Sequence, residues 1–351
     1  MIVHLVIFLV SLILLVKGAD YFVEASAGIA RSLGISDLII GLTLTSLGTS
    51  VPELAASVSA SLDGHPSLII GNVVGSNIAN IGLILGVSAM FKSFKTEKTM
   101  YERDGYIMIA GVVLFFVFSL DNRLSFWEAL LLLCFYLFYL LFLLKTRDPE
   151  AESHRFRDFM SYVFNFEYIM APKRANSLSA TLKPKVDVNE DATAQNKLST
   201  HLLKQIAIVA ITGVVIVFSA KYLVQESVWL AQWLELPENV IGLSMIAVGT
   251  SIPELSVSIS AIRKGKGEMV VGNVLGSNIA NIVLILGVSG IIHPMDISEM
   301  SITVTIPIML FFSLTLLYFI RSDWQIGRWQ GLFALLAYLI FLTSAVVLGI
   351  G

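Results

Sequence analysis

One feature restricts this chain more than any other: it contains the same 46-residue passage twice. Residues 41–86 read G-L-T-L-T-S-L-G-T-S-V-P-E-L-A-A-S-V-S-A through G-N-V-V-G-S-N-I-A-N-I-G-L-I-L-G. Residues 242–287 read G-L-S-M-I-A-V-G-T-S-I-P-E-L-S-V-S-I-S-A through G-N-V-L-G-S-N-I-A-N-I-V-L-I-L-G. The offset is a constant 201 residues without a gap, and 26 of 46 positions are identical. A repeat of this length and fidelity predicts two copies of one structural unit.

The composition says what kind of unit. Of 351 residues 56% are apolar and 14% charged, against roughly a quarter charged in soluble domains. A bilayer-spanning helix needs about 20 mostly apolar residues. The sequence supplies ten such stretches, near 2–19, 37–62, 66–90, 104–120, 125–144, 204–224, 238–262, 268–292, 300–320 and 329–350. The first lacks the basic start and small-x-small cleavage site of a signal peptide, so it counts as a span. The expected fold is an all-α polytopic membrane protein. Residues 1–145 form a first five-helix repeat, 146–203 a cytoplasmic loop, and 204–351 a second five-helix repeat.

Lys and Arg set the expected orientation. With Met1 outside and ten crossings, Arg31, the group Lys92, Lys95, Lys98 and Arg103, the triplet Arg263, Lys264 and Lys266, and Arg321 with Arg328 all fall inside. The outer connections hold only Arg123. By the positive-inside rule both termini are then outside. In the central loop, the basic and aromatic part from Arg155 to Met170 suits the inner membrane surface. The part near 173–198, rich in Ala, Ser, Thr, Asn and Lys, reads as a flexible tether.

Five spans per repeat is an odd number, so the second copy must insert upside down. The copies are then related by a pseudo-two-fold axis in the membrane plane, as in many secondary transporters. Gly48 and Pro52, with Gly249 and Pro253, predict breaks inside the motif helices; helices 2, 3, 7 and 8 are all expected to be broken. A proline also frees a carbonyl one turn earlier, so carbonyls near Ser46–Gly48 and Ala247–Gly249 are expected to lack helix partners.

Glu53 and Glu254 are the acidic residues deep within the apolar repeat spans, and no Lys or Arg lies mid-span there to pair with them. A carboxylate at that depth is costly and marks function. Beside them stand Thr49 and Ser50, and Thr250 and Ser251. On the following spans come Ser76 and Asn80, and Ser277 and Asn281, each pair four residues apart on one helical face. Hard oxygen donors of this kind suit Ca²⁺ or Na⁺. The five His residues all lie away from mid-span and Cys134 is alone, so zinc, copper and iron are not expected substrates. Taken singly, the Ser and Thr residues also suit close helix packing. So do Gly71, Gly75 and Gly86 with their partners Gly272, Gly276 and Gly287. Asn72 and Asn273 fit either a cap on a broken helix or the site itself.

These motifs, G-T-S-V-P-E with G-S-N-I-A-N and G-T-S-I-P-E with G-S-N-I-A-N, resemble the two alpha-repeats of the sodium/calcium exchanger family, within the calcium/cation antiporter superfamily. The resemblance implies a prokaryotic-type secondary antiporter exchanging Na⁺ for Ca²⁺ by alternating access. It implies a calcium-preferring position flanked by sodium positions, bridged by Glu53 and Glu254. Thr49, Ser50, Ser76 and the Ser46 carbonyl would complete one half; Thr250, Ser251, Ser277 and the Ala247 carbonyl the other; Asn80 and Asn281 the middle. Some relatives carry Asp at the position of Asn281, and in the potassium-dependent branch that Asp is associated with potassium transport. Asn281 therefore argues against potassium co-transport. Spans 1 and 6 would slide over the rest. No cofactor, enzymatic activity or nucleic-acid partner is expected, and a monomer in the bilayer suffices. Proton/calcium exchange on the same fold is the main competing reading. A cation channel is more distant, and an intramembrane hydrolase lacks a nucleophile–base pair in any span.

Overall fold

A computed structural model describes residues 2–32, 46–145, 156–164, 192–263, 265 and 267–348. Among them, eight helices are long and apolar enough to cross a bilayer, or nine when one bent pair counts as a single span. The protein is a helical multi-span membrane protein. In order, the helices are α1 (Ile2–Ser32), α2 (Ser46–Thr49), α3 (Val51–Asp63), α4 (Pro66–Phe91), α5 (Met100–Asp121) and α6 (Phe126–Lys145). After the short α7 (Phe156–Phe164) come α8 (Ala192–Trp233), α9 (Glu238–Thr250), α10 (Ile252–Arg263), α11 (Gly267–Ile292), α12 (Ser301–Arg321) and α13 (Arg328–Leu348). The first part of the expected second span, and most of the expected tether, lie outside the described residues.

Two helices run past their expected ends. α1 continues beyond residue 19 to Ser32, and α8 starts at Ala192 rather than near 204. Extending a helix already nucleated costs little, and neither extension contains a proline. The 31 residues of α1 span about 46 Å, well beyond a hydrocarbon core of about 30 Å. α7 seats its aromatic side on α6. Phe159 and Tyr162 are buried, and ring centroids of Phe135 and Phe142 lie 5.5 Å from Phe159. Arg157 and Asp158 stay exposed.

Four two-residue strands reveal the relation between the repeats. β1 (Phe94–Lys95) pairs antiparallel with β4 (Gln325–Ile326), and β2 (Arg123–Leu124) with β3 (Met295–Asp296). β1 and β2 flank α5, so they sit at opposite ends of the bundle. β3 follows β1 by 201 residues, yet it pairs with β2, at the end opposite β1. Equivalent connections therefore lie on opposite faces, and the two repeats are inverted. The π-helical segments at Met100–Gly105 and Ser301–Thr305 keep the same offset.

α4 and α11 form the buried centre; the other long helices keep a large apolar face outward. Small residues allow α4 to lie against α9. A Cβ on Gly71 would come 2.5 Å from the Asn239 carbonyl oxygen, and one on Gly75 2.6 Å from that of Leu243. Backbone cannot step aside as a side chain can. The close-packing reading therefore holds on α4. Gly75→Ala should lower stability by about 2 kcal/mol, read as thermal unfolding in detergent.

Candidate cation site

The site is made where the motif helices are interrupted. Between α2 and α3, Ser50 has φ −87° and ψ 5°; between α9 and α10, Ser251 has φ −82° and ψ 5°. Both lie in the sparsely used bridge region, outside helical geometry. The second break bends the chain by 42°. Pro52 and Pro253 stand in the first turns of α3 and α10, where a missing N–H costs nothing. Those same first turns carry Glu53 and Glu254. Helix N-termini present free N–H groups and a favourable dipole to an anion, so the breaks furnish a seat for each carboxylate.

In α4 and α11 the interruption is gentler. Both run unbroken in direction, but Asn80–Leu85 and Ala280–Ile285 are π-helical. A π turn widens the helix by one residue and is frequent at functional sites. Here it begins at Asn80 in one repeat and includes Asn281 in the other. Ala247 departs from expectation in one respect. Its carbonyl accepts the Ser251 N–H at 3.2 Å, while the Thr250 hydroxyl lies nearer the Ile246 carbonyl, at 3.0 Å, than to it. Pro253 withdraws the usual helical donor to Gly249, two residues further on, whose carbonyl instead accepts a backbone N–H of the cap.

The two motifs meet. Glu53 and Glu254 are each 1% exposed and are electrostatic neighbours. The Ser251 hydroxyl donates across the repeats to Glu53 Oε1 at 3.3 Å, and Thr250 also faces Glu53. Thr49, from the first repeat, faces Glu254 together with Ser277, and the Thr49 and Ser277 hydroxyls are 3.4 Å apart. Ser50, Ser76, Asn80 and Asn281 are buried around the same centre. Ser46 opens α2. All the predicted side chains described here are thus drawn into one interior region by the crossing of the repeats.

The hydrogen bonding of this region is incomplete in a patterned way. Among the described residues, Ser50 Oγ, Glu53 Oε2, Ser76 Oγ, Asn80 Oδ1, Glu254 Oε2 and Asn281 Oδ1 are all buried without a hydrogen-bond partner. Buried polar atoms are ordinarily paired, and a charged oxygen left alone is the costliest kind. These six oxygens, two of them on carboxylates, form a hard-oxygen donor set suited to Ca²⁺ or Na⁺. No compensating Lys or Arg is present in either motif helix near these atoms.

Of two further asparagine pairs around the site, the sequence left the role of Asn72 and Asn273 open and did not single out Asn77 and Asn278. Asn72 Nδ2 donates to the Glu53 carbonyl at 3.3 Å and to Ser57 Oγ at 3.0 Å, bracing α3 against α4. The Thr250 hydroxyl comes within 3.5 Å of the Asn72 Oδ1, and that of Thr49 within the same distance of Asn273 Oδ1. Both asparagines reach across to the other repeat, and Asn72 also braces its broken helix. Asn77 and Asn278, adjacent to Ser76 and Ser277, are fully buried. Their identity in both copies was the available signal.

Comparison with known proteins gives the family. The model of the family described as sodium/calcium exchanger protein matches residues 3–145 and 204–347. The sodium/calcium exchanger MaX1 of Methanosarcina acetivorans is 45% identical over 341 residues, covering 97% of both chains. This chain belongs to the sodium/calcium exchanger family. Human sodium/potassium/calcium exchanger 5 is more distant, at 24% identity over 95% of this chain and 80% of that protein. Among solved structures, the sodium-calcium exchanger NCX_Mj soaked with Na⁺ and Sr²⁺ aligns with a TM-score of 0.61 and 30% identity. It covers 98% of this chain and 99% of that one. The interval between the two family-matched regions coincides with the predicted central loop.

Proposed function

We propose that this family member exchanges Na⁺ for Ca²⁺ by alternating access at the cage around Glu53 and Glu254. The observation that carries the reading is the set of orphaned oxygens about two buried carboxylates, one from each inverted repeat. Glu53, Glu254, Thr49, Ser50, Ser76, Asn80, Thr250, Ser251, Ser277 and Asn281 supply side-chain ligands, with the carbonyls of Ser46 and Ala247. The names of MaX1 and NCX_Mj as sodium/calcium exchangers favour these two ions. Both termini face outward and the central loop faces the cytoplasm, as the distribution of Lys and Arg argues.

The coupling follows from charge. Two glutamates give −2, which balances one Ca²⁺ or two Na⁺. An empty cage would carry both charges through the bilayer at prohibitive cost, so the protein changes face only when loaded. α1 packs on both breaks: a Cβ on Gly48 would come 2.6 Å from Val23, and one on Gly249 2.5 Å from Leu12. Both glycines keep the surface under α1 smooth, which suits sliding.

The test uses purified protein in sodium-loaded vesicles diluted into sodium-free medium with radiolabelled calcium. The expected result is calcium uptake that requires the outward sodium gradient. Uptake driven instead by a pH gradient without sodium would transfer the coupling role to protons at the same cage.

A further inference from the structure

We propose that Asn278, which nothing above places among the cation ligands, is a positioning residue that fixes which end of the Asn80 carboxamide meets the cation. The inference rests on the cation cage proposed above. It starts from a chain of buried amides that crosses the repeats. Asn80 Nδ2, on α4, donates to Asn278 Oδ1, on α11, at 2.9 Å. Asn278 Nδ2 in turn faces the backbone carbonyl of Asn77 at 3.4 Å and the Met108 sulfur at 3.8 Å. Asn77, Asn80 and Asn278 are at most 1% exposed, so water does not compete for these groups.

A carboxamide has one accepting and one donating end. The partners of Asn278 Nδ2, a carbonyl and a thioether, only accept. The amino end of Asn278 must therefore face them, and its oxygen must face Asn80. Only the amino end of Asn80 satisfies that oxygen. The Asn80 oxygen is consequently turned away from Asn278, and it is one of the buried oxygens without a partner. The opposite rotamer would bring two N–H donors toward a cation and leave two carbonyl oxygens facing each other. Asn278 thus selects the cation-binding orientation of Asn80 without donating a ligand itself.

The arrangement is not duplicated by the repeat. The equivalent of Asn278 is Asn77, whose Nδ2 donates within its own helix to the Val73 carbonyl at 2.7 Å and whose Oδ1 has no partner. Asn281 Oδ1 is likewise unpartnered. Orientation by a neighbouring amide is therefore a property of Asn80 in this structure.

A double-mutant cycle separates positioning from general structural damage. Asn80→Ala, Asn278→Ala and the double variant are reconstituted, and the KM and maximal rate for calcium uptake are measured under whichever gradient, sodium or proton, drives the wild type. Thermal unfolding in calcium-free detergent is followed in parallel. Asn278→Ala is expected to raise the calcium KM about tenfold in the wild-type background. In the Asn80→Ala background it should change KM less than twofold, because the group it orients is gone. Asn278→Leu keeps the volume and removes the acceptor, and serves where the alanine variant unfolds. An equal KM increase in both backgrounds, or an unchanged KM alongside a lowered unfolding temperature, overturns the proposal. A wild type that takes up calcium while the cycle is additive overturns the positioning role alone. A wild type inactive under either gradient removes the cage and this role together.

Discussion

Glu53→Gln and Glu254→Gln are each expected to bring calcium uptake to the background of empty vesicles. Glutamine has the shape of glutamate, and Glu53 Oε1 would still accept the Ser251 hydroxyl. The variant should therefore fold and reach the membrane, which separates loss of charge from loss of structure. What changes is the balance at a site 1% exposed. One carboxylate opposite one Ca²⁺ leaves a full positive charge in the bilayer interior, at a cost of about 3 kcal/mol or more. That corresponds to at least a hundredfold loss of calcium-loaded turnover. Removing one partner of a buried charge set leaves the other uncompensated, and is the more damaging kind of change. The measurement is initial uptake of radiolabelled calcium in sodium-loaded vesicles. Near-normal flux in both variants would remove these residues from the centre of the mechanism.

Asn281→Asp should produce a different and ion-selective defect. Asn281 is 1% exposed and its Oδ1 has no hydrogen-bond partner, so the substitution adds a carboxylate without breaking a bond made by that atom. The cage then carries −3. Three Na⁺ neutralise it, whereas one Ca²⁺ leaves a net negative charge to be carried across the bilayer. Calcium–calcium exchange is expected to fall by about ten- to a hundredfold, with sodium–sodium exchange largely preserved. Parallel isotope exchange of the two ions in one vesicle preparation reads both. Equal loss of both exchanges would show damage to packing rather than to charge balance, and no loss of either would place Asn281 outside the cage.

Much of this was legible because the bilayer is a severe solvent. It demands long apolar helices, makes an unpaired carboxylate conspicuous, and ties connection length to a small set of topologies. The odd number of spans per repeat already required inversion, and the pairing of β1 with β4 and β2 with β3 agrees with it. Helix ends were less legible. Nothing in A-T-A-Q-N-K-L-S-T-H marks where α8 should stop growing backward from its apolar part. The docking of α7 on α6 was equally hidden, since an amphipathic segment does not say whether its apolar side meets lipid or protein.

Most side chains of the proposed cage could be named from the chain because they occur twice, beside a proline break or on the apolar span that follows it. Local covalent chemistry and hydropathy are sufficient for that. What they could not supply is which oxygens end up without a partner. That depends on neighbours distant in sequence: Ser251 on Glu53, Thr49 beside Ser277, Asn278 on Asn80. The π turns at Asn80 and around Asn281 were likewise decided by packing between α4 and α11, since the same residues suit an ordinary α-helix. Residue type and spacing determined that a cation cage could exist here. The crossing of two inverted helix pairs decided which hydrogen bonds close, and so which oxygens remain for an ion.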